Sequence, residues 1–423
     1  MRIYGIMCSM KSYIGNRVAV ALAAAMLCGA CAAEFAIQGE IDRVAAEGGG
    51  RVAVPPGEHL TDGPIRLRSN IELHLEEGAR IVFPDDPKKY LPAVPTSWEG
   101  VECLNYSPLV YAYGCTNVAI TGKGTFAPKM DFWRKWFGRG KGHMEATCRL
   151  YDWCSFLAPL EERDLTKIPE SNVRPHLIQF NRCANVKLEG FRIRESPFWT
   201  IHLFLCDGVT ARDLDVYAHG HNNDGIDIEM TRNVLVENCR FDQGDDAIVI
   251  KSGRNQDAWR LATPSENIEV RNCTVVNGHV LLGVGSEMSG GVRNVYMHDC
   301  TLESEAFRLF YVKVNERRGG FVENIRMENV KAKNVRWGVM AVDTDVLYQW
   351  KDFPTHEVRV TPIRSLVMKN VSVDEAERLV DIRGDARNPV DGVTLENVRL
   401  AKARKADRVE NAKNVTVDGE VRK

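Results

Sequence analysis

NVLVENCRF (residues 233–241), NIEVRNCTV (267–275) and NVYMHDCTL (294–302) repeat one phrase: an Asn, a branched apolar residue, alternating apolar and polar positions, then a small polar turn. Val234 and Val236 in the first copy, like Ile268 and Val270 in the second, fall on one side of an extended chain, because side chains in a strand alternate with a period of two. Branched side chains add to the preference for strand. The phrase returns, opened by Asn, Gly or Ser, as NVAITGKG (117–124), NVKLEGFRI (185–193), GVTARDLDV (208–216), NIRMENVKA (324–332), SLVMKNVSV (365–373), GVTLENVRL (392–400) and NVTVDGEV (414–421). Starts fall roughly 22 to 34 residues apart, with two wider gaps, which is the period of a solenoid. One such unit cannot bury its own apolar face, so successive units stack, each coil about 4.8 Å above the last. Leu-x-x-Leu-x-Leu frames and Trp-Asp blade signatures are missing. The expected fold is therefore all-β: a single-domain, right-handed parallel β-helix.

An open stack needs covered ends, since bare strand edges aggregate. IQGEIDRVAAE (37–47) spaces Ile37, Ile41, Val44 and Ala45 as a helix before Gly48-Gly49-Gly50, and predicts an amino-terminal cap helix. Residues 129–174 lack the phrase and carry Trp133, Arg134, Trp136, Phe137, Arg139, Lys141, His143, Tyr151 and Trp153. They read as a partly helical insertion beside the substrate groove, either packing for stability or touching substrate.

Residues 1–33 read as a signal peptide: Lys11 and Arg17, the apolar run Val18 to Leu27, then the small residues Gly29 to Ala33. The run is short of the about 20 residues a membrane span needs. An exported chain, periplasmic or extracellular, is expected, its catalytic domain covering 34–423, with lipidation of Cys31 as the second choice. The formal net charge of −2 gives no footprint for nucleic acid or an anionic membrane surface. Of twelve cysteines, Cys183, Cys239, Cys273 and Cys300 recur in similar contexts and predict a buried stack of free thiols. The spacing of Cys and His supports no structural metal, and no cofactor is expected.

Functional residue types concentrate in HGHNNDGIDIE (219–229) and DQGDDAIVIKSG (242–253). Asp224 and Asp245 lie 21 positions apart, close to one coil, so Asp224 is expected beside the Asp245-Asp246 pair. Later coils add His279 and then Lys313, Arg317 and Arg318. Paired carboxyls suit glycosidic cleavage, one donating a proton to the leaving oxygen and one activating water, about 6.5–9.5 Å apart in the inverting geometry. Crowding separates their proton affinities. Singly, Asp-Asp or Asn-Asp-Gly reads as a turn that caps its own backbone; recurrence at one phase of consecutive coils favours a site.

At these residues the sequence resembles glycoside hydrolase family 28, the polygalacturonases. Asn222-Asn223-Asp224 matches an Asn-Thr-Asp motif, Gly244-Asp245-Asp246 a Gly-Asp-Asp motif, and Gly278-His279 the start of Gly-His-Gly. The likeness also runs through RPHLIQF (174–180), SPFWTIH (196–202) and GSEMSGGVRNVYM (285–297). It implies inverting hydrolysis, with Asp245 as general acid, Asp224 and Asp246 activating water, and His279 supporting the acid. It also implies an acidic plant cell-wall polysaccharide as partner and a monomer. The family's Arg-Ile-Lys motif meets Tyr311-Val312-Lys313: the lysine that binds galacturonate is kept and the arginine is not. Arg308, Arg317 and Arg318 are the candidates to restore that charge, and Asn223 stands where the family has threonine. The SEMSGG and ERRGG phrasing is similar to bacterial members that trim chain ends, and an insertion walling the groove would fit that action. The rival readings are a rhamnogalacturonan hydrolase of the same family, a calcium-dependent lyase on the same scaffold, and a non-catalytic glycan-binding solenoid.

Overall fold

The computed structural model describes residues 35–346 and 357–422. The expected signal segment lies outside the described residues, as does Cys31. Among the described residues, 28 strands join one sheet wound into a right-handed parallel β-helix, the hand that parallel crossovers take.

One ladder is built by the repeated phrase. Asp207–Arg212, Arg232–Glu237, Ser265–Arg271 and Val292–His298 pair in parallel with Val209, Val234, Ile268 and Val295 in one inward column. Those four are almost fully buried, and each such side chain removed from water contributes about 1.5–3 kcal/mol. The Asn or Gly that opens each phrase has a backbone reason. Asn233, Asn267, Asn294 and Asn324 have φ of 58°, 56°, 55° and 57°, and Gly208 has 73°, the left-handed region that these two residue types tolerate best. Side chains of these asparagines then join coil to coil, Asn267 to Asn233 at 3.2 Å, Asn294 to Asn267 at 3.2 Å and Asn324 to Asn294 at 2.8 Å.

A second ladder carries Ile201–Phe204, Ile226–Glu229, Ile248–Lys251 and the ends of Thr274–Gly285 and Thr301–Lys313. Its outward side chains include His202, Asp227, Glu229 and Lys251, all buried beneath the chain segments that cover this face. A third, of short strands such as Asp215–Ala218 and Arg240–Gln243, closes each coil.

Helix α1 (Ile37–Ala46) buries Ile37, Ile41 and Val44 against the first strands of the stack, as its spacing predicts; Ala45 is half-buried. The insertion holds helix α2 (Lys141–Phe156) and three short 3-10 turns. It packs on an antiparallel hairpin, Val94–Trp98 with Val101–Asn105, that the repeat pattern does not signal. Trp98, Ala146, Leu150, Cys154, Phe198 and Trp199 form the shared core. Among the described residues no helix is long and apolar enough to cross a membrane.

The cysteine column needs a correction. All four predicted cysteines are free and buried, but they stand at two corners. Cys239, Cys273 and Cys300 follow their strands and touch one another, the Cys273 amide donating to the Cys300 sulfur at 3.4 Å. Cys183 precedes its strand and stacks with Cys115 and Cys206.

Candidate active site

A cleft of about 330 Å³ opens over the second ladder, lined by Asp224, Asp245, Asp246, His279 and Lys313 together with Lys251, Glu287, Arg308, Tyr311 and aromatic rings. The register sharpens the sequence spacing. Ile226 pairs with Ile248 and the Gly225 amide donates to the Asp246 carbonyl at 2.9 Å, so Asp246 is the vertical neighbour of Asp224, and Asp245 is one residue to the side. On the next coil the His279 amide donates to the Asp245 carbonyl at 2.8 Å, and its Nδ1 lies 2.9 Å from Asp245 Oδ1. Lys313 Nζ donates to Asp246 Oδ2 at 2.5 Å.

Beneath Asp224 lies a buried charge cluster. Lys251 Nζ is 3.4 Å from Asp224, 3.2 Å from Asp227 and 3.4 Å from Glu287, and 3.7 Å from the centre of the Trp199 ring. Arg254 holds the other side of Glu287 at 2.7 Å. Burial would strip Lys251 of its charge, but Asp224, Glu287 and Asp227 keep its ammonium well above the ordinary value.

These surroundings drive the carboxyls apart. Burial, with Asp245 and Asp246 nearby, pushes Asp224 up to about 7 against the pull of Lys251. Burial would also raise Asp245, but the His279 hydrogen bond and charge, then Lys313 and Lys251, outweigh it and hold Asp245 at about 2. Burial works against the imidazolium of His279, and the bond to Asp245 outweighs that and raises its proton affinity. Asp224 thus has the higher proton affinity of the two and Asp245 the lower, opposite to the roles the resemblance gives them. Asp224 and Asp245 interact, so the steps in which they lose their protons belong to the pair.

Several expected residues fall elsewhere. Asn223 is fully buried and donates to the carbonyls of Ser196 and Phe198, both at 2.9 Å; Asn222 lines the cleft in its place. Arg318 is also fully buried, donating to Ser286 O and Asn255 Oδ1, and Arg317 does not line the cleft. Of the three candidate arginines only Arg308 reaches it. The repeat pattern gave no weight to Lys251, which looked like one more strand residue of DQGDDAIVIKSG, or to Glu287 of SEMSGG. Glu99, at the hairpin tip, had no signal.

Asp245, Asp246 and His279 bring three donor atoms within 4.8 Å of one another. The set does not suit calcium, which takes six to eight oxygens, because an imidazole and the Lys313 ammonium already hold these carboxylates.

Buried carboxyls with separated proton affinities, an imidazole and cations in a cleft along a parallel β-helix define a polysaccharide hydrolase. Residues 162–418, more than half of the chain, match Glycosyl hydrolases family 28. The chain belongs to that family and is a glycoside hydrolase. It is 26% identical over 384 residues to a probable polygalacturonase of Vitis vinifera, covering 88% of this chain and 70% of that one. It is 25% identical over 364 residues to an endo-polygalacturonase of Pectobacterium carotovorum subsp. carotovorum, covering 84% and 80%. The crystal structure of an exopolygalacturonase from Thermotoga maritima matches with a TM-score of 0.81 at 38% identity, over 90% of this chain and 86% of that chain.

Proposed function

We propose that this chain is an exported exo-acting polygalacturonase that hydrolyses galacturonate linkages from chain ends with inversion. The observation that carries this reading is the convergence of Asp224, Asp245 and Asp246 from adjacent coils in one cleft that also holds His279 and Lys313. Asp245 protonates the leaving glycosidic oxygen as the bond to the anomeric carbon breaks. Asp224 and Asp246 take a proton from the water whose oxygen forms the new bond on the opposite ring face. The reacting complex then has Asp245 protonated and Asp224 ionised, and a substrate carboxylate drawing Lys313 away from Asp246 removes one of the cations that keep Asp245 ionised.

Action from chain ends is supported by the segments that crowd the cleft. Arg139 from the insertion lines it, and the Phe137 ring lies against Gly220 of the Asp224 coil, where an added Cβ would approach it to 2.2 Å. Glu99 from the hairpin also lines it, beside Arg254 of the following coil. The Thermotoga maritima relative, an exopolygalacturonase, adds support.

The test is product analysis on polygalacturonate. Monogalacturonate should accumulate from the first turnovers, with inverted anomeric configuration by NMR and no loss of rate in a chelator. Early release of mixed oligomers would overturn end-wise action, and unsaturated uronide products would overturn hydrolysis altogether.

A further inference from the structure

We propose that Arg174 fixes His221 as a neutral hydrogen-bond donor to a sugar hydroxyl, which makes His221 a substrate-positioning residue. The inference rests on the galacturonan reading above and deepens it, since His221 stands just before the Asn222-Asn223-Asp224 motif and has no part in the mechanism so far.

Arg174 opens RPHLIQF at the end of the insertion and is almost fully buried. Its guanidinium carbon packs 4.8 Å from the centre of the Phe137 ring and 5.0 Å from that of Phe198. One terminal nitrogen donates to the carbonyls of Pro197 at 2.8 Å and His221 at 2.6 Å. The other donates to Asn222 Oδ1 at 3.0 Å and meets His221 Nδ1 at 3.2 Å. A guanidinium has donors only, so Nδ1 must be the acceptor. The ring is then neutral and carries its one proton on Nε2. Its surroundings agree: burial, then Arg174 and Arg139, lower the pKa of His221 to about 4, with Asp245 pulling the other way and His143 adding to the fall.

His221 lines the cleft with Asn222, Asp224 and Asp245. Among the described residues no group accepts from its Nε2, and that nitrogen is not shut off from solvent. The charged guanidinium on Nδ1 polarises the N–H at the far side of the ring. A neutral donor suits a hydroxyl, and it adds no further charge near Asp245, where another cation would oppose the proton that the general acid must carry.

Nitrogen-15 NMR of the histidine rings in the unaltered chain tests the lock. From pH 8 to 5 the His221 ring, identified by its loss in His221→Gln, should keep a bare Nδ1 and a protonated Nε2. A ring that is cationic at pH 6, or protonated on Nδ1 alone, would overturn the proposal. Arg174→Met should move protonation of the ring to higher pH, and an unchanged titration would overturn the part given to Arg174. Steady-state kinetics on trigalacturonate tests the contact. His221→Ala should raise KM about 2–12-fold, the worth of one neutral hydrogen bond, with kcat within about twofold. His221→Gln, which supplies an amide N–H, should recover part of the loss. Unchanged KM, or a collapse of kcat in its place, would overturn the contact, the second by marking a structural role for the turn. The KM ratio should hold at high salt, and a ratio that shrinks would overturn the choice of a hydroxyl over a charged group. If the unaltered chain is inert on galacturonans, the galacturonan reading falls and the contact with it, whatever the tautomer.

Discussion

The asparagine stack and the carboxylate stack are products of the same repeat. Asn233, Asn267, Asn294 and Asn324 rise one per coil at the exposed turn, and Asp224 and Asp246 rise one per coil in the cleft. An amide carries both a donor and an acceptor, so each asparagine satisfies the next, and the column repeats without strain. A carboxylate carries acceptors and charge, so each copy opposes the next, and each is held by a cation of its own, Asp224 by Lys251, Asp246 by Lys313 and Asp245 by His279. Identical stacking stabilises in one place and in the other stores the unequal proton affinities that catalysis uses.

The largest effect should come from Asp245→Asn. In the carboxylate column this change should lower kcat about 10²–10⁴-fold, the range for removing a general acid, while the melting temperature falls only modestly, because the favourable pairing of ionised Asp245 with His279 is lost but the fold's core is untouched. Steady-state kinetics with a thermal melt checks both, and a loss of rate matched by unfolding would break the contrast.

Lys251→Met should come next. Leaving Asp224, Asp227 and Glu287 without their shared ammonium should cost roughly 3–5 kcal/mol, the scale for removing one partner of a buried pair, read by denaturant unfolding. The Asp224 carboxyl should then hold its proton to still higher pH.

Stability should also follow pH in two opposite limbs. Burial raises Asp224 and Glu229 to about 7 each, so their folded state binds protons more tightly than the unfolded state. That stability is complete below the ordinary carboxylate pKa and is lost as pH rises towards about 7. Asp245, held at about 2, contributes in the other sense, and its share is lost as pH falls from about 4 to 2. The contribution of Asp224 is read as the difference in unfolding free energy between the unaltered chain and Asp224→Asn, which should shrink as pH rises from about 4 to 7. A difference that grows over the same window would reverse the assignment.

The smallest change belongs to the asparagines. Asn294→Ala removes the bonds to Asn267 and Asn324 and puts a side chain with no local bonding at φ 55°, at a cost of ~1–3 kcal/mol. Asn294→Gly should lose less, and kcat should not move in either.

What the sequence made legible follows from the same physics. The period-two pattern and the Asn-Val openings reflect constraints local to one strand and its turn, and cap helix α1 reflects local spacing, so these were readable. Asp224 stands beside the Asp245-Asp246 pair as its spacing predicts; which of the two is its vertical neighbour the spacing left open, because turn lengths between strands set the register and carry no strong pattern. The Val94–Asn105 hairpin leaves the coil, and its contacts lie with α2 and the short helix Asn255–Leu261 far along the chain. Nothing near Glu99 therefore foretold its place in the cleft. Cys183 was misplaced because Arg-Cys before a strand and Asn-Cys after one look alike without the corner.

The central claim is that stacking on adjacent coils separates the proton affinities of Asp224 and Asp245. Titration of carbon-13-labelled aspartate side chains in the free enzyme tests it most directly. A carboxyl titrating near pH 7 should vanish in Asp224→Asn, and one titrating near pH 2 should vanish in Asp245→Asn. If Asp224 instead titrates in the ordinary carboxylate range of about 4, the stacked site does not separate its carboxyls and the account is wrong.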